Sequence, residues 1–200
     1  MLRSSDDAWS IVYDTKLWSA QGVPATLTAE LTRLTTLSAT INFIVLGPDE
    51  SWLVIYSGKE FTASNIPTSL YNRLTTLYGL GATITSIALS PSNGWALTFD
   101  NSGAGFYTEG VPTPFFNQLK SLVSAGFSVR QLALGTSDSW AIVANDSVCY
   151  TSGVPAALNT AITTIQNGGY RINTLTLGKA GSYGVIYNNN AWYANATRKR

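Results

Sequence analysis

The sequence contains no histidine, one cysteine (Cys149) and few charges, with 12 Lys and Arg against 11 Asp and Glu in 200 residues. Each shortage excludes a class of function. Without histidine there is no Ser-His-Asp or Cys-His nucleophile, no imidazole metal ligand and no imidazole pH switch. A lone cysteine forms neither an intrachain disulfide nor a CxxC site. The net charge of +1 supplies no field to attract a polyanion, so nucleic acid is not an expected partner. No apolar run reaches the length of a membrane span. Residues 1–9 lack the continuous apolar core of a signal peptide, so the expected location is either the cytoplasm or outside the cell by a leaderless route. The basic end, Arg198-Lys199-Arg200, reads as a solvated tail. No glycine-rich loop follows a strand and opens a helix, as phosphate binding requires. Gly79-Leu80-Gly81 instead ends a helical pattern and leads into a strand. Acidic residues form no recurring pair of the kind glycoside hydrolysis needs. A non-enzyme without cofactor or metal is expected.

What is present is a repeat. Trp9, Trp52, Trp95, Trp140 and Tyr183 follow one another at 43, 43, 45 and 43 residues. Pro24, Pro67, Pro112 and Pro155 march at 43, 45 and 43, and so do Ile41, Ile84, Val129 and Ile172. Three landmarks in one phase define units that begin near residues 1, 41, 84, 129 and 172, together one repeat domain over 1–200. The two additional residues fall between Phe99 and Phe106, which marks a hairpin tip, where insertions are tolerated.

Within a unit, the aromatic landmark opens an apolar run (Trp52–Tyr56, Trp95 to Phe99, Trp140–Ala144, Tyr183–Tyr187) that reads as a strand buried on both faces. A return strand follows, with Trp18, Phe61, Phe106, Cys149 or Trp192 in one slot; Cys149 there is an apolar filler. Gly-Val-Pro (Asn-Ile-Pro at 65–67) then starts a helix, since proline suits a first turn. Apolar residues at +3, +7 and +10 from each proline form one stripe: Leu27, Leu31, Leu34; Leu70, Leu74, Leu77; Phe115, Leu119, Leu122; Leu158, Ile162, Ile165. A strand from Ile41, Ile84, Val129 or Ile172 closes the unit.

Such a unit cannot cover both faces of its own sheet, so neighbours must stack on it. The expected fold is mainly β with helices: a five-fold strand-strand-strand-helix repeat forming a β-propeller-like toroid. Its first blade lacks a leading strand, because residues 2–8 are poor strand material. In count and period the chain resembles the five-bladed lectin propellers of the tachylectin type, at the level of architecture and over the whole chain. The resemblance implies a ring and a sugar-binding role; it carries no site residue across.

Two places before each tryptophan stands a polar residue, giving the pairs Asp7 with Trp9, Glu50 with Trp52, Asn93 with Trp95 and Asp138 with Trp140. In a ring these lie on one rim, where rings could stack on sugar C–H faces while carboxylates and amides take hydroxyls. The same residues would equally serve as turn formers beside core tryptophans. The sequence thus points to a non-enzymatic, lectin-like module with several equivalent shallow sites and glycans as partners. The alternative is a self-assembling repeat protein, a homo-oligomer joined through unpaired terminal strands.

Overall fold

The computed structural model describes residues 8–13, 17–100, 104–145, 148–188 and 191–195. In chain order they form β1 (Trp9–Tyr13), β2 (Leu17–Gln21), α1 (Ala25–Thr36), β3 (Ile41–Leu46), β4 (Trp52–Tyr56), β5 (Glu60–Ser64) and α2 (Thr68–Gly79). Next come β6 (Thr83–Leu89), β7 (Trp95–Asp100), β8 (Ala104–Glu109), α3 (Thr113–Ser124), β9 (Val129–Leu134), β10 (Trp140–Ala144) and β11 (Val148–Ser152). The last are α4 (Ala156–Asn167), β12 (Ile172–Leu177), β13 (Tyr183–Tyr187) and β14 (Ala191–Asn195). All pairing is antiparallel. Sheet 1 has two strands (β1-β2), and sheets 2 to 5 are three-stranded meanders, β3-β4-β5, β6-β7-β8, β9-β10-β11 and β12-β13-β14. The residues expected to offer sheet 1 no leading strand, 2–8, lie outside the described residues except Ala8.

Each of α1 to α4 is 12 residues long and is bounded by the same chemistry. The prolines sit one place earlier than a first-turn position, at the N-cap, with φ between −53° and −58°. There their carbonyls accept the first helical bonds, and no N–H is missed. Two residues earlier the backbone is left-handed (Gly22 φ 67°, Asn65 φ 55°, Gly110 φ 61°, Gly153 φ 65°), which is why that slot holds glycine or asparagine. The helices end on Schellman turns. Ala39, Ala82, Phe127 and Tyr170 N–H groups donate to Leu34, Leu77, Leu122 and Ile165 carbonyls, all at 3.0 Å. Burying three large apolar side chains of each stripe contributes on the order of 5–9 kcal/mol before entropy is counted.

The helices are wedges between sheets. Leu27, Leu31 and Leu34 of α1 pack with Trp52 and Val54 of sheet 2, and with Val12 and Trp18 of sheet 1. Leu70, Leu74 and Leu77 of α2 join Leu53 and Ile55 of sheet 2 to Trp95 and Leu97 of sheet 3. α3 does the same between sheets 3 and 4, and α4 between sheets 4 and 5. A middle strand such as β4 therefore sends Trp52 and Val54 to one helix and Leu53 and Ile55 to the next. That explains why its sequence is apolar throughout. The inner strands of successive sheets are neighbours in chain order, β1 with β3, β3 with β6, β6 with β9 and β9 with β12.

Cys149 packs against the cluster that holds Leu158 and Val143, and burial pushes its thiol up to about 12. Little thiolate exists at neutral pH, so the thiol is expected to react slowly with a disulfide reagent in the folded protein and rapidly in denaturant. Labelling of the folded protein at the rate of a free thiol would contradict this packing. Because the folded thiol holds its proton more tightly, its stabilising contribution is complete below about pH 9. It is then lost as pH rises from about 9 towards 12.

Candidate functional site

The tryptophan rim is assembled differently from a sugar-stacking surface. Trp52, Trp95 and Trp140 are 4%, 2% and 6% exposed, with their rings in the inter-sheet clusters. Trp52 Nε1 donates to Thr26 Oγ1 at 3.0 Å, and Trp95 Nε1 to Ser69 Oγ at 3.1 Å, each on the first turn of the preceding helix. Trp140 meets Phe115 edge-on at 5.8 Å. No ring face is left for a ligand. Glu50, Asn93 and Asp138 are exposed and hold left-handed turn positions, at φ 59°, 63° and 58°. They are turn formers beside core aromatics. Trp9 is half-buried and donates to Gln21 across its own hairpin at 3.2 Å. Asp7 lies outside the described residues.

A different site is built by irregularities in pairing. In each inner strand of sheets 2 to 5 the register slips by one residue against the middle strand: between Ile41 and Phe43, Ile84 and Ser86, Val129 and Gln131, and Ile172 and Thr174. The additional residues are Asn42, Thr85, Arg130 and Asn173, one β-bulge per sheet at the same point of the unit. Bulges re-aim side chains. All four bulge residues line a single cavity of about 300 Å³. Ser86, Gln131, Thr174, Phe43 and, from sheet 1, Ser10 and Ile11 line it too, so all five sheets contribute. All four bulge side chains are also engaged within the chain: Asn42 Oδ1 accepts the Gly58 N–H at 2.9 Å, Thr85 Oγ1 donates to Thr98 Oγ1 at 2.8 Å, and Arg130 and Asn173, like Ser10, have partners of their own. Ser86 Oγ accepts the Leu132 N–H at 2.9 Å, tying sheets 3 and 4 together beneath the rim. Below this polar ring, Leu46, Leu89, Leu134 and Leu177 end the inner strands around a space of only about 20 Å³.

The cavity combines amide, hydroxyl and guanidinium groups with one half-buried aromatic ring, Phe43. Such a set donates and accepts several hydrogen bonds from fixed directions. Nothing in the strand compositions announces it. Asn, Thr, Arg and Asn share polarity alone, and a bulge is a property of two strands together.

A second, more open groove of about 430 Å³ belongs to one unit. Tyr56, Glu60 and Phe61 of the β4–β5 hairpin face Tyr71, Thr75 and Tyr78 of α2. Phe61 and Tyr71 meet edge-on at 5.5 Å, and Lys59 Nζ lies 5.5 Å above the Tyr78 ring. Burial raises the Tyr56 phenol above its ordinary value. The Glu60 carboxylate adds to this, and the Arg33 guanidinium, hydrogen-bonded to the same hydroxyl, opposes it. Arg33 also grips Glu30 with two bonds of 2.7 and 2.8 Å, which lowers the Glu30 carboxyl. At the places of Tyr71 and Tyr78 the third helix has Phe116 and Val123, and the fourth Asn159 and Gln166. The groove is therefore not repeated.

No group of three or more Cys, Asp or Glu side chains is gathered for a metal among the described residues. No helix among them is long and apolar enough to cross a membrane. The chain matches no protein-family model, no curated protein and no solved structure.

Proposed function

We propose that the chain is a non-enzymatic binding module for polyhydroxylated ligands of the glycan class, built as a five-fold β-propeller-like toroid with the bulge-lined cavity as its receptor. One observation carries the reading: four bulges in the same phase place Asn42, Thr85, Arg130 and Asn173 around one cavity beside Phe43. A sugar ring offers C–H faces to an aromatic and hydroxyls to amides and a guanidinium, and this site has all three. The mean line of the repeat, lectin-like in count and period, agrees with it by analogy. The receptor is single and axial, in place of several equivalent rim sites.

The test is a broad glycan array, followed by titration of the best ligand. Arg130→Ala and Asn42→Ala are each expected to weaken binding by about tenfold, the loss of one hydrogen bond to a charged or well-placed polar group. Tyr71→Ala is expected to leave binding unchanged. If only Tyr71→Ala abolishes the signal, the tyrosine groove is the receptor and the cavity is not. An array without any hit removes the reading altogether.

A further inference from the structure

The four helices fill four junctions between sheets, and the fifth junction, from sheet 5 to sheet 1, has no helix among the described residues. The two faces that border it are apolar and exposed. On sheet 1, Ile11 is 48% exposed, whereas Val54, Leu97, Ile142 and Val185 at the same place in the other sheets are each 0% exposed. On sheet 5, Ile186 is 38% exposed, against 0% for Ile55 and Val143 and 3% for Thr98. Ile186 pairs directly with Trp192, which is 70% exposed, so both lie on one face. In the other units the residues equivalent to Trp192 touch the helix that follows. Phe61 meets Tyr71 of α2, Phe106 meets Phe116 of α3, and Trp18 Nε1 donates to Thr35 of α1 at 3.2 Å. Trp9 tells the same from the other side. Where Trp52 and Trp95 bond to the helix before them, Trp9 turns to Gln21 of its own hairpin.

We infer that this junction is a docking groove for an amphipathic helix supplied by another polypeptide chain. The occupied junctions specify that helix: about three turns long and apolar at positions i, i+4 and i+7, as in all four helices. The reach of Ile11 and Ile186 into the axial cavity makes the groove continuous with the cavity wall. The apolar anchors are Trp192 and Ile186 on one side, and Ile11 and Leu17, itself 47% exposed, on the other. A central aromatic ringed by aliphatic contacts is the composition in which helix-in-groove recognition concentrates its affinity.

The probe is a synthetic peptide of residues 22–38, which contains α1, carries Glu30 and Arg33 for solubility, and has no Trp or Tyr of its own. Added to the intact protein, it is expected to saturate and to shift tryptophan emission to the blue as Trp192 leaves water. A twelve-residue helix is marginal alone, so part of the contact energy goes into ordering the peptide. Ile186→Asp in the protein is expected to weaken the complex by at least about tenfold. A peptide with Leu27→Asp and Leu31→Asp is expected not to bind; this arm needs no protein variant to fold. Absence of saturation, or binding unaffected by both changes, overturns the inference. So does a dimer in sedimentation that Ile186→Asp dissociates and the peptide does not displace, because the groove would then serve a second copy of the chain.

Discussion

Phe115→Ala is expected to destabilise the protein by about 4 kcal/mol, read as a lowered urea midpoint at unchanged slope. Phe115 is 0% exposed and stands at the first stripe position of α3, where α1, α2 and α4 have leucine. Its ring lies edge-on to Trp140, centroid to centroid at 5.8 Å with planes 77° apart. It also shares a cluster with Ala88 and Ala96 of sheet 3 and Leu132 and Leu134 of sheet 4. Removing the ring thus opens one cavity touched by two sheets and a helix, and the methyl groups of the alanines opposite are too short to move into it. The aromatic contact is lost as well, at about 1 kcal/mol beyond area. Phe115→Leu, which restores the residue of the other three helices, is expected to cost roughly a third as much. Equal costs for the two variants would mean that the edge contact, and not the volume, holds this junction.

The other large effect comes from a glycine. Gly94→Ala is expected to cost about 3 kcal/mol and to lower Tm by roughly 6–12 °C. A β-carbon at residue 94 would stand 2.7 Å from the carbonyl carbon of Gly110 and closer still to its oxygen, both backbone atoms. Gly110 is in turn held at φ 61° in the link that leads into Val111 and Pro112 at the start of α3. Relief therefore has to come from the strand-to-helix connection or from the turn before Trp95. Gly58→Ala makes a fair comparison: nothing lies within 4 Å of its β-carbon, but φ is +87°. That variant is expected to cost only about 1 kcal/mol, from backbone strain alone. If Gly94→Ala proves as mild as Gly58→Ala, the two backbones separate more easily than their contact implies.

The repeat and its elements were legible because they depend on local chemistry. Leu70, Leu74 and Leu77 mark a buried helix face by their spacing, and Pro67 and Gly81 mark its two ends. The continuous apolar run from Trp52 to Val54 and Ile55 could be read as doubly buried, and two different helix junctions receive its two faces. The role of the rim residues is not legible in the sequence, for a related reason. A tryptophan repeated in phase looks the same in sequence whether its face meets a ligand or its Nε1 meets Thr26 on the preceding helix. Glu50 and Asp138 likewise show as carboxylates, and only the backbone reveals that each occupies a left-handed turn position. The bulge at Arg130 was invisible, because skipping one pairing partner leaves no trace in either strand. Tyr71 and Tyr78 do stand seven residues apart on one helix, but the stronger leucine stripe masks that spacing.

The four leucines that end the inner strands have a consequence for traffic. Around Leu46, Leu89, Leu134 and Leu177 the free space falls to about 20 Å³, room for about one water molecule. The cavity lined by Asn42 and Arg130 therefore narrows towards the ends of the inner strands, where four leucines, one from each three-stranded sheet, leave no room for anything much larger than water.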